Sequence, residues 1–136
     1  GKKAALIVIQ EWWGVDDWIR SQADRFAQQG YVALAVDLYR GNHATSMEEA
    51  HELSRGLPED RALADLRAAV EYLGSRADVD PTKIGVIGWG STEGTIAEVV
   101  EALRRDGTPV AHLQPKVLNP LPVATVNRFI TLKLER

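Results

Sequence analysis

The chain has 136 residues, enough for one domain with a sizeable core, and 45% of them are hydrophobic against 26% charged. A formal net charge of -3 argues against nucleic acid as the main partner, and no apolar run approaches the ~20 residues of a membrane span. The absence of cysteine excludes a disulfide, a thiolate metal site, a cysteine-ligated iron–sulfur cluster and a cysteine nucleophile.

"AALIVIQ" (Ala4–Gln10) is a continuous apolar run, as expected of a strand buried on both faces. "EWWGVDDW" is a loop leading into a helix capped by Asp16 or Asp17, whose apolar face is Ile19, Ala23, Phe26 and Ala27; Gly30 stops it. "YVALAVDL" (Tyr31–Leu38) reads as a second buried strand. After the polar loop "YRGNHAT", a short helix over Met47–Arg55 is capped by Thr45 or Ser46, carries Glu48 and Glu49 in its first turn and ends at Gly56. Pro58 opens the next helix, which buries Leu63, Leu66, Val70 and Leu73. "DVDPTK" is punctuated by Pro81 and reads as a turn before a third strand, Ile84–Gly88. A helix follows from about Ser91 to Arg105, with Ile96, Val99, Val100 and Leu103 on its apolar face and Gly107 as its stop. Pro109–Pro115 is a fourth strand, 123–128 a short helix, and "FITLKLE" an alternating strand with one wet face.

Strands alternating with helices predict an α/β three-layer sandwich over residues 1–136 as a single domain. Its sheet is mostly parallel and five-stranded in the flavodoxin-like order 2-1-3-4-5, the last strand being the unsettled one because its connection is short for a parallel crossover. In that order the loops after strands one and three flank the switch point, where ligands bind. They bring Glu11, Trp12, Trp13, Trp89, Gly90, Ser91, Thr92 and Glu93 together as candidate ligand-binding residues. Each also has a plainer role: the tryptophans as packing, Ser91 as a helix cap, Glu93 as a first-turn carboxylate favoured by the helix dipole.

The stretches "VIQEWWGVDDWI", "ADRFAQQGYVALAVDLYRG", "ALADLRAAVEYL" and "DVDPTKIGVIGW" resemble the dienelactone hydrolase family, an α/β-hydrolase branch, over residues 4 to 89. The resemblance implies a glutamate at Glu11 beside a cysteine nucleophile that follows the Gly88-Trp89 pair, with a later Asp and His. Here Gly90 stands at the nucleophile position, Thr92 replaces the last glycine of the elbow, and Ser91 is displaced by one. Asp106 and His112 follow Ser91 in triad order, but Asp106 lies beyond the far end of the helix, about 22 Å away. From residue 84 to 122, "VIGWGSTEGTIAEVVEALRRDGTPVAHLQPKVLNPLP" is similar to the α subunit of 2-oxoacid:ferredoxin oxidoreductases, in its transketolase C-terminal-like domain.

The two resemblances meet in "IGVIGW", which leads to the expectation of a recombined, engineered scaffold with no native catalytic function. A weak ester hydrolase using Ser91 and a small-anion binder at the Gly90–Thr92 turn are the alternatives. No metal or cofactor is expected: the three histidines, His43, His51 and His112, lack ligand spacing. No specific partner is expected beyond a weak anion at the helix N-terminus or a homodimer paired through the terminal edge strand. The location expected is the cytoplasm, because "GKKAALIVIQ" enters a strand with no signal-peptide pattern.

Overall fold

The computed structural model describes residues 1–88, 93–108, 110–113 and 124–128. Along the chain run β1 (Lys3–Ile9), α1 (Asp17–Gln28), β2 (Val32–Val36), α2 (Met47–Arg55), α3 (Glu59–Ser75), β3 (Val79–Ile87), α4 (Glu93–Arg105) and β4 (Ala111–Leu113). The strands form one sheet in the order β2-β1-β3-β4, and every pairing in it is parallel. The α/β class and parallel sheet are as predicted. Four strands stand among the described residues rather than five, because the alternating tail lies outside them.

β1 explains the layering. Side chains alternate across a strand, so Ala5, Ile7 and Ile9 face one side and Leu6 and Val8 the other. The first set packs with Leu66, Val70 and Leu73 of α3 and Ile96, Val99, Val100 and Leu103 of α4. The second packs with Ile19 and Phe26 of α1, with Tyr31, and with Val126 of the helical stretch 124–128. All five β1 residues from Ala5 to Ile9 are at most 2% exposed, which is why the run lacks polar alternation. The Tyr31 hydroxyl donates to Asn127 and ties 124–128 to the α1 layer.

Local signals set the helix ends. Asp16 caps α1, its Oδ1 accepting from Ile19 N at 3.0 Å. Ser46 caps α2 through Glu49 N at 3.2 Å, while Glu49 reaches back to Thr45 N at 3.0 Å, closing a reciprocal cap. Pro58 precedes α3 without a side-chain cap, because its ring carries no acceptor, and the carboxylates Glu59 and Asp60 stand in the first turn instead.

Two strand readings need correction. β2 is half-buried along its length, because it lies at the edge of the described sheet rather than inside it. β3 begins at Val79, earlier than expected. Asp80 Oδ1 accepts from Thr82 N and Oγ1 at 3.0 and 2.7 Å, so "DPT" makes a local turn inside a strand that continues on both sides. The register shifts there: Lys3 pairs with Val79 and Ala5 with Ile84. Proline is tolerated at such a bulge because the ladder is already interrupted.

Candidate functional site

The site is built where β1 leaves the sheet. Gln10, only 2% exposed, accepts Leu38 N on its Oε1 at 2.9 Å and so joins the ends of β1 and β2. The chain then folds tightly, with Gly14 N donating to Glu11 O at 3.0 Å. Gly14 has φ +98°, and a Cβ there would lie 3.0 Å from Asn42 O and 3.2 Å from Tyr39 Cδ2. Only glycine suits both the dihedral and the approach.

The loop following β2 holds this turn from outside. The Tyr39 hydroxyl donates to Trp12 O at 2.9 Å, and Ala44 N donates to Trp13 O at 2.9 Å. Asp37 organises that second loop, accepting from Tyr39 N at 3.2 Å and Gly41 N at 2.7 Å while Arg40 takes φ 51°. The Trp12 ring meets Trp13 at 5.5 Å and 67°, and meets His51 of α2 at 4.6 Å and 88°. Both are edge-to-face contacts. Glu11 is half-buried beside this aromatic wall. Burial raises its carboxyl above the usual 4.5, and the like charge of Asp16 adds to the rise. Burial also raises the Tyr39 hydroxyl, opposed by a hydrogen bond with Gln10.

β3 neighbours β1, with Ile87 opposite Val8, and Gly88 N donates to Leu113 O of β4 at 3.2 Å. β3, beyond which the chain is described as far as Gly88, and β1, which leads into the Glu11 loop, are therefore adjacent parallel strands ending on the same side of the sheet, the side on which α/β sheets bind ligands. Of the predicted constellation, the structure brings Glu11, Trp12 and Trp13 together. Trp89, Gly90, Ser91 and Thr92 lie outside the described residues, and Glu93 is placed only as the first residue of α4. The predicted edge-strand dimer contact at 129–135 also lies outside them.

Of Ser91, Asp106 and His112, the first lies outside the described residues. Asp106 is held by Arg67 of α3, and His112 sits half-buried within β4. Among the described residues, no group of three or more metal-ligating side chains comes together. None of the described helices is long and apolar enough to cross a membrane.

Gln10, Tyr39 and His51 were missed in the sequence. Gln10 was the one available signal, a polar residue closing an otherwise apolar run. A cavity of about 240 Å³ opens on the α3 and α4 side of the same strand ends, lined by Ile9, Gln10, Leu38, Tyr39, Leu57 and Ile96.

The fold is a parallel α/β sheet that carries the Glu11 loop at its strand ends. The chain belongs to the dienelactone hydrolase family, whose profile matches residues 1–108. It is similar to Protein usf of Aquifex pyrophilus, 38% identical over 90 residues, covering 62% of this chain and 39% of that protein. A Synechocystis protein named as a carboxymethylenebutenolidase is 35% identical over 98 residues, covering 65% of this chain and 39% of its own length. The chain thus spans about two-fifths of the length of these curated relatives. Among solved structures, m3DLH superposes with a TM-score of 0.68 at 30% identity, covering 88% of this chain and 52% of that one.

These matches overturn the expectation of an engineered scaffold without catalysis: a family profile across most of the chain, with hydrolase-named relatives, marks a hydrolase lineage. Gly90 at the nucleophile position is one residue of a local pattern, whereas the family match runs over residues 1–108. The oxidoreductase likeness is confined to 46 residues, 48% identical to the 2-oxoglutarate oxidoreductase subunit KorA of Mycobacterium tuberculosis, which is 32% of this chain and 7% of that subunit. It does not carry the case for a chimera.

Proposed function

We propose that the chain carries part of a hydrolase acting on an ester or lactone carbonyl. The observation that supports it best is Glu11, a half-buried carboxyl held above its usual titration range at the strand ends, where the family keeps its glutamate beside the nucleophile. A carboxyl of raised pKa holds a proton near neutrality better than a free one, which suits it to exchange protons with a neighbouring nucleophile. The chain has no cysteine, so in this reading Ser91, one residue past the family position, supplies the attacking oxygen. The edge-to-face rings of Trp12 and Trp13 then offer an apolar wall for the acyl group, with His51 against Trp12.

The test is hydrolysis of p-nitrophenyl acetate by the purified chain, by Ser91→Ala and by Glu11→Gln. The reading expects a rate above the buffer background, abolished in Ser91→Ala and with its pH profile displaced in Glu11→Gln. Equal rates for the chain and Ser91→Ala, or no rate above background, would remove Ser91 as nucleophile.

A further inference from the structure

Arg61, on the first turn of α3, is a cation without a matching anion. Its Nη2 donates to Leu38 O at 3.0 Å, but its Nε–H is buried and finds no acceptor among the described residues. Among the described residues it forms no ion pair. A guanidinium held for structure alone normally satisfies its donors, because a buried N–H without an acceptor leaves its desolvation unrecovered.

Arg61 borders a cleft of about 230 Å³ between α2 and the loop after β2, lined also by Tyr39, Arg40, Asn42 and Glu52. Arg40 is already neutralised, its Nη2 and Nε reaching the two oxygens of Asp65 at 2.8 and 3.4 Å. Arg61 is therefore the cation left to meet an incoming group.

We propose that this cleft binds a small oxyanion, a carboxylate or phosphate group, with Arg61 as its anchor. The planar guanidinium is shaped for two-point recognition of either. The cleft volume suits an anion of a few heavy atoms. Glu52 faces the same space without pairing with Arg61, so it opposes an anion and limits affinity. This sets the sign of a second variant: removing the Glu52 charge strengthens binding.

The experiment follows the Arg61 Nε–H resonance and the backbone amides of Asn42, Glu52 and Gly56, which line the cleft, in the ¹⁵N-labelled chain during titration with sodium phosphate, with sodium acetate, and with sodium chloride as the ionic-strength control; the amides are the readout in Arg61→Gln. The proposal expects a saturable shift with phosphate or acetate and none with chloride, and the anion of lower Kd identifies the group recognised. Arg61→Gln should weaken binding by about tenfold or more, and Glu52→Gln should tighten it. The proposal is overturned if neither anion shifts the resonance up to about 50 mM, if chloride shifts it equally, or if Arg61→Gln binds as the parent does. Should Arg61→Gln not fold, the parent titration and the Glu52→Gln comparison decide the matter alone: unchanged or weakened binding in Glu52→Gln counts against the cleft.

Discussion

Gly14→Ala tests the joint between the two loops that build the site. The substitution places a methyl group 3.0 Å from Asn42 O, 3.2 Å from Tyr39 Cδ2 and 3.3 Å from His43 Cα. Two of those atoms are backbone in a segment pinned by the Ala44 N to Trp13 O hydrogen bond, so they cannot rotate aside. Holding an L-residue at φ +98° costs about 1–3 kcal/mol. Crowding against fixed neighbours adds about 1 kcal/mol. The expected destabilisation is therefore about 2–4 kcal/mol, which lowers a urea midpoint by about 1–2 M at a slope near 2 kcal/mol/M. Gly30→Ala is the control: its φ is +99°, yet nothing lies within 4 Å of the added carbon. It carries the backbone cost without the crowding, so Gly14→Ala should be the more destabilised of the two. Equal midpoints for the two variants would refute the close approach of the 39–44 segment. Parental stability in both would refute the dihedral argument itself.

Phe26→Ala removes a fully buried ring that meets Tyr31 edge-on at 6.0 Å, and should cost about 3–5 kcal/mol by chemical denaturation. Ser46→Ala deletes the α2 cap and should cost about 1 kcal/mol, with altered tryptophan emission because α2 carries the His51 that meets Trp12. Glu11→Gln should change stability in a pH-dependent way. The folded-state carboxyl titrates above the unfolded one, so Glu11's contribution is fully present below pH 4.5 and is lost as pH rises through the folded value. Glu11→Gln should therefore gain on the parent between pH 5 and 8 relative to pH 4. Thermal melts across that range that run parallel would refute the burial of Glu11.

The layering was legible because burial leaves a pattern in local sequence. Ala5–Ile9 is apolar at every position, and such a run has a simple solution as an inner parallel strand. The caps at Asp16 and Ser46 were legible for the same reason, since each acts within three residues. The start of β3 was not. Asp80, Pro81 and Thr82 carry turn chemistry, and nothing local announces that β1 continues to pair on both sides of them. His51 was hidden differently: its contact with Trp12 joins a loop to a helix distant in sequence, and one histidine has no spacing to read. The hydrolase lineage is legible in long stretches across the sheet, whereas the glycine at position 90 breaks only the short elbow pattern.

The shifted register in β3 separates two demands on the same strand. Its surplus residues, Asp80–Lys83, sit at the N-terminal end of the sheet, while Ile84 to Ile87 stay in step with Ala5 to Val8 up to the opposite rim. Length can therefore change at one end of the strand without moving the other. Small insertions or deletions among Asp80–Lys83 should leave the rim carrying Glu11 and Gly88 in phase, which makes this blister the natural place to attach a probe or label. The same change after Ile84 would swap the two faces of the strand and turn both core layers inside out.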